Sequence, residues 1–156
     1  MAGGVNVQGE DVKKLDVLAN DIFINSLTSS GKVCALVSEE NEEIIQVSDP
    51  KLRGRYVVVF DPLDGSSNID AGVPVGTIFG IYSVSDEIMM LPEIPIDAIL
   101  RPGSEMIAAG YAMYGSFTTL VLSTGNGVNG YTLDPVSNAS EYLYLIICFR
   151  VLVNSY

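Results

Sequence analysis

Residues 56–68 read YVVVFDPLDGSSN, a β-branched run from Tyr56 to Phe60 that breaks into Asp61-Pro62-Leu63-Asp64-Gly65-Ser66-Ser67-Asn68. The run has the make-up of a buried strand, and the Pro and Gly behind it mark a tight turn. Two aspartates three residues apart on such a turn aim both carboxylates at one point, with Pro62 fixing φ in advance. Gly65 lets the main chain approach a ligand closely. The N–H groups that follow, with the hydroxyls of Ser66 and Ser67, form a nest for an anion. Carboxylates beside an anion nest call for cations between them, and hard divalent ions held by oxygen, Mg²⁺ with Mn²⁺ as the alternative, answer that call. Taken by itself, Asp-Pro-x-Asp-Gly reads equally well as an ordinary turn closing a strand.

A second stretch tips the balance. Val33 to Val37 (VCALV) is another short apolar run, and it ends in Ser38-Glu39-Glu40. The chain therefore twice runs a buried strand into an acidic end, which can bring four carboxylates, Glu39, Glu40, Asp61 and Asp64, together at one sheet edge. Glu42 and Glu43 continue the second run and read as solvated. Between Glu10 and Asp70 fall twelve of the nineteen acids.

The composition excludes several functions. With 8 Lys+Arg against 19 Asp+Glu the formal charge is 8 − 19 = −11, and there is no histidine. Ser-His-Asp and Cys-His catalysis, phosphohistidine chemistry and imidazole-ligated zinc are ruled out, so proton transfer falls to carboxylates, Lys, Tyr, Cys or water on a metal. A chain this acidic lacks the basic stripe that nucleic acid requires. No membrane partner is expected either, since the longest apolar run, Tyr142 to Phe149, is eight residues long against the ~20 that span a bilayer. Cys34 and Cys148 form no metal or disulfide pattern and read as buried thiols of a reducing compartment. No secretory signal opens the sequence.

Around these motifs, residues 11–28 place Val12, Leu15, Leu18, Ile22 and Phe23 at three- and four-residue steps, predicting an amphipathic helix. A strand is expected over Thr77 to Val84, irregular chain with one helical turn at Asp97 to Leu100 over 86–103, and strands over Met106–Met113, Thr118–Leu122 and Val128–Leu133. The links at Tyr114-Gly115-Ser116 and Gly125-Asn126-Gly127 imply antiparallel hairpins. GNGVNG (residues 125–130) satisfies the dinucleotide pattern G-x-G-x-x-G, but strand-like residues follow where a helix should start, so it reads as a hairpin turn. Asn138-Ala139-Ser140 is a sequon by coincidence. The fold class expected is α+β, helices packed on a mainly antiparallel sheet.

The segment FDPLDGSSNIDAGVPVGTIFGIY (60–82) closely resembles fructose-1,6-bisphosphatases of the Mg²⁺-dependent class, as do VQGEDVKKLDVLANDIF (7–23), LVSEE (36–40), AAGYAMYGS (108–116) and GVNGYTLDP (127–135), in the same order. The Asp-Pro-[Ile/Leu]-Asp-Gly core is shared with a wider superfamily that includes inositol monophosphatase, the runner-up. The resemblance implies the N-terminal half of a layered α/β/α/β/α sugar phosphatase. It makes Glu10, Glu39, Asp61, Asp64 and the carbonyl of Leu63 ligands for two to three Mg²⁺ ions. Asp64, Gly65, Ser66 and Ser67 would hold the phosphate, and Asp16 and Glu40 would position and deprotonate the attacking water. The reaction implied is fructose 1,6-bisphosphate to fructose 6-phosphate and phosphate, in a homotetramer.

The family's chains are about twice this long, so the sequence reads as truncated at both ends. Residues 1–135 are expected to be an incomplete metal-binding domain and residues 136–156, VSNASEYLYLIICFRVLVNSY, a divergent apolar tail. A non-catalytic metal-binding fragment that associates with full-length subunits is the alternative of a different class. The wording of the motifs is similar to plant-type members. Residues 84–101 lack the cysteines of light-regulated chloroplast forms, which favours the cytoplasm, with the chloroplast as the alternative.

Overall fold

β-branched and apolar runs separated by Gly- and Pro-bearing links give one eight-stranded sheet in the order β2-β1-β3-β4-β5-β6-β7-β8. The computed structural model describes residues 14–133 and 146–149. Its strands are β1 (Val33–Ser38), β2 (Ile45–Gln46), β3 (Tyr56–Asp64), β4 (Val75–Ser83), β5 (Ala108–Tyr114), β6 (Thr118–Ser123), β7 (Val128–Leu133) and β8 (Ile146–Phe149). Every adjacent pair is antiparallel except β1 with β3, which run parallel with Val37 beside Val59 and Ser38 beside Phe60. The expected α+β class and mainly antiparallel sheet hold.

That one parallel pair positions the acidic motifs. Two parallel neighbours finish at the same end of the sheet, so the Ser38-Glu39-Glu40 turn and the Asp61–Asp64 segment emerge side by side. The Glu39 N–H donates to the Phe60 carbonyl at 3.0 Å, which carries the pairing one residue into the acidic turn.

Both sheet faces are covered in this half of the molecule. On one face the helix α1 (Lys14–Ser29) lays Phe23, Ile24 and Leu27 on Val33, Leu36, Val58 and Phe60, with Phe23 and Phe60 stacked at 5.3 Å. On the other, Ile94, Ala98 and Ile99 of the 86–105 segment close over Cys34, Ala35, Val57, Tyr82 and Val84. Buried Arg53 pins that segment, its guanidinium donating to the carbonyls of Leu91 and Pro92.

Four details depart from the sequence reading. The stripe Leu15, Leu18, Ile22 is about half exposed, while α1 turns Asp16 and Asn20 inward, at 1% and 8% exposure. Asn20 makes polar contacts beside the Glu39-Glu40 turn on this inward side of the helix. Second, Asp61 to Asp64 is not a turn after the strand. β3 runs through it with a bulge, Asp61 facing Ile78 and Asp64 facing Gly76, so that three steps on β3 match two on β4. Pro62 sits in the bulge, where its missing N–H costs no ladder bond. Third, besides the expected helical turn, found as a 3₁₀ turn at Ile96–Ala98, the irregular segment contains a short helix α2 (Asp86–Met89) and a 3₁₀ turn at Gly103–Glu105. Fourth, β5 begins two residues later than expected, at Ala108, after Ile107 N–H bonds the Ile81 carbonyl.

The 125–127 link is a hairpin turn with Gly125 and Gly127 at φ of 88° and 92°, and strand β7 follows it, so the dinucleotide pattern has no helix to serve. β8 pairs with β7 at the far edge. The sequon, the expected boundary at residue 135 and most of the expected tail lie outside the described residues. Among the described residues no helix is long and apolar enough to cross a membrane.

Candidate active site

The ends of β1 and β3, the bulge and the chain after it surround a cavity of about 350 Å³ lined by Glu39, Glu40, Asp61, Leu63, Asp64, Gly65, Ser66 and Ser67. All eight are residues that the motifs single out. Two larger hollows, of about 600 and 550 Å³, are mainly apolar and lie beside α1 and on the β4–β6 face. The chemistry-bearing groups converge on the smallest and most polar of the three.

Local structure explains each placement. Asp61 stays on the β3 ladder, and its carboxylate accepts the Leu63 N–H at 3.0 Å across the bulge. Gly65 then adopts φ 84°, a left-handed conformation that a side chain would strain, and turns the chain into a 3₁₀ helix from Ser66 to Ala71. The first hydrogen bond of that helix is Asn68 N–H to Gly65 C=O at 2.9 Å, so the Ser66 and Ser67 N–H groups precede it and edge the cavity.

Asp16 reaches the site from α1. It does not line the cavity, yet its charge acts on both Glu40 and Asp61. One turn along the helix, buried Asn20 accepts from Ser38 Oγ at 2.7 Å and donates to Asn41 Oδ1 at 2.8 Å, tying α1 to both flanks of the Glu39-Glu40 turn. Sequence reading missed Asn20, Ser38 and Asn41. The available signal was the i, i+4 spacing of Asp16 and Asn20, which puts two polar residues on one helix face. Glu10, the remaining expected ligand, lies outside the described residues.

The electrostatics are those of crowded acids. Burial, then the charges of Glu39 and Asp16, push Glu40 up to about 7. Burial also lifts Asp61 to about 6, opposed by the Leu63 N–H bond and reinforced by Asp64, Glu39 and Asp16. Among the described residues no three acidic or thiol side chains close into a tight cation cluster. Nevertheless the donor set fits a hard divalent cation: every group is oxygen, both carboxylate and carbonyl types are present, and the acids are held at a protonation cost that positive charge would remove.

Comparison with known proteins gives this arrangement a context. The family model for the fructose-1-6-bisphosphatase N-terminal domain matches residues 1–144. The chain is 62% identical over 135 residues to cytosolic fructose-1,6-bisphosphatase of Oryza sativa subsp. indica, covering 86% of this chain and 38% of that protein. It is 59% identical over 143 residues to the cytosolic enzyme of Spinacia oleracea, covering 92% of this chain and 40% of that one. Among solved structures, Leishmania major fructose-1,6-bisphosphatase in holo form superposes with a TM-score of 0.78 at 46% identity, over 85% of this chain and 41% of that one. The apo form of the same enzyme gives 0.70. The chain thus spans about two fifths of the length of the relatives it matches.

Proposed function

The chain belongs to the fructose-1,6-bisphosphatase family, and from that premise we propose that its acidic cavity binds divalent cations and a phosphate ester. The reaction it serves is hydrolysis of the 1-phosphate of fructose 1,6-bisphosphate to fructose 6-phosphate and phosphate. The observation that carries this reading is the meeting, in one cavity, of the acidic ends of two parallel strands with the Gly65-Ser66-Ser67 turn.

Glu39, Asp61, Asp64 and the Leu63 carbonyl would hold Mg²⁺ or Mn²⁺, two to three ions, with Glu10 as a further ligand. Bound cations supply the charge that neutralises the phosphate, stabilises the departing sugar alkoxide and acidifies the attacking water. The chain's own groups do the rest. Ser66 and Ser67 offer N–H and hydroxyl donors to the phosphate oxygens, with Asp64 and Gly65 shaping the turn beneath them. The Glu40 carboxylate, raised to about 7 when no cation is bound and ionised more readily once positive charge sits beside it, would accept a proton from the attacking water. Asp16, buried on α1, would orient the water together with Glu40. The family's homotetramer and the cytosolic compartment named for the plant relatives belong to the same proposal.

Phosphate release with Mg²⁺ from fructose 1,6-bisphosphate and from inositol monophosphate, by the chain and by Asp61→Asn, tests this function. Turnover should be low, since the chain spans two fifths of its relatives' length, but at least about tenfold above Asp61→Asn and faster on the sugar bisphosphate. Equal release by the two proteins contradicts the reading. Faster release from inositol monophosphate moves the substrate to the wider superfamily.

A further inference from the structure

The bulge that aims Asp61 and Asp64 is held by something other than its own backbone. Between the pairs Asp61/Ile78 and Asp64/Gly76, two β3 residues, Pro62 and Leu63, face the single β4 residue Thr77. An interrupted ladder leaves a carbonyl without its usual partner, and Pro62 and Leu63 are both buried. Thr77 supplies the missing bond from its side chain. Thr77 is 2% exposed, and its hydroxyl donates to the Pro62 carbonyl at 2.8 Å.

The Thr77 hydroxyl has one proton, and Pro62 takes it. The second contact, between Thr77 Oγ1 and the Tyr114 hydroxyl at 2.7 Å, must then run the other way, with Tyr114 donating. Tyr114 ends β5 and pairs with Val75, two residues from Thr77 along β4. Three adjacent strands are thereby linked in one direction: Tyr114 O–H to Thr77, Thr77 O–H to Pro62. The link ends on the peptide between the two aspartates.

We propose that this Tyr114–Thr77–Pro62 relay is a positioning device for the site: it fixes the bulge and with it the relative aim of Asp61 and Asp64. Neither Thr77 nor Tyr114 lines the acidic cavity, although Thr77 lines the smaller one beside it that shares Asp64 and Gly65, and the hydrogen bonds connect each of them to the aspartates through Pro62. The inference rests on the reading of the cavity as a cation and phosphate site.

Thr77→Val keeps the shape of the side chain and deletes the hydroxyl, while Thr77→Ser keeps the hydroxyl. Two readouts on the full chain separate the cases: Mn²⁺ affinity by calorimetry and amide hydrogen exchange of residues 61–65. Thr77→Val should weaken Mn²⁺ binding about 10- to 100-fold and speed exchange at 61–65 while leaving residues 33–38 unchanged. Thr77→Ser should restore both, and Tyr114→Phe should give a smaller loss of each. Faster exchange with wild-type Mn²⁺ affinity reduces Thr77 to a structural residue and overturns the proposal, as does unchanged exchange. If the unaltered chain takes up no Mn²⁺, the cation reading itself falls, and exchange then decides the relay alone: faster in Thr77→Val than in Thr77→Ser supports it, equal rates overturn it.

Discussion

The two halves of the sheet are built from similar residues and end up in different surroundings. Five of the six residues of β1 and five of the nine of β3 are buried, whereas none of β5, β6 or β7 is. Ile78, Tyr111, Met113 and Val128 stay more than two fifths exposed. Strand chemistry does not by itself explain this, since VVVF and TTLVL are both rich in β-branched and apolar residues. What differs is cover: α1 and the 86–105 segment close both faces of β1 and β3. The lesson is about the site. Carboxylates are held together against their repulsion at the end of the half that is packed on both sides, where the backbone beneath them cannot give way.

That contrast is tested most severely by truncating one side chain in each half. Leu36→Ala, at a residue with 0% exposure in the covered half, should cost about 2–5 kcal/mol in urea unfolding. Val121→Ala, half-buried on β6, should cost less than about 1 kcal/mol. Equal costs would mean that the two halves are equally packed and that the site owes nothing to its cover.

A smaller effect sharpens the comparison from the charge side. Glu40 and Asp61 have folded-state pKa values raised from 4.5 and 3.8 to about 7 and about 6. For acids shifted upward, the folded state binds protons more readily than the unfolded one. Their contribution is therefore present in full below about pH 4 and is lost as pH rises through 6 to 7. Without divalent ions, melting temperature should fall across that window. Asp61→Asn should flatten the fall and raise the melting temperature at pH 7.5. Saturating Mg²⁺, at about a hundred times its Kd, should raise the wild-type value by about 5–10 °C and do much less for Asp61→Asn. A melting temperature that climbs from pH 5 to 7.5 in EDTA would contradict the crowded-acid account.

How much of this was legible in the sequence follows from the range of each signal. The strand-to-acid pattern at Val33–Glu40 and Tyr56–Asp64 depends on neighbours in the chain, and the structure brings all four of its carboxylates to one cavity. Their convergence needs the parallel β1/β3 pair, which no local pattern encodes. The bulge was misread as a turn because Pro and Gly signal a break without saying whether the partner strand continues past it. Asp16 entered only through family resemblance, since the apolar stripe beside it suggests that Leu15 and Leu18 face inward. Tertiary hydrogen bonds, from Ser38 to Asn20 and from Asn20 to Asn41, accompany the opposite rotation of α1. Thr77 and Tyr114, on different strands, carry no local mark at all.

The central claim is that the acids at the carboxyl ends of β1 and β3 form one cation site rather than a solvated acidic face. Calorimetric titration of Mn²⁺ into the chain and into Asp61→Asn at pH 7.5 addresses it directly. Saturable binding by the chain, weakened at least about tenfold by Asp61→Asn, is the predicted result. Binding of the same strength in both proteins, or none in either, would contradict it.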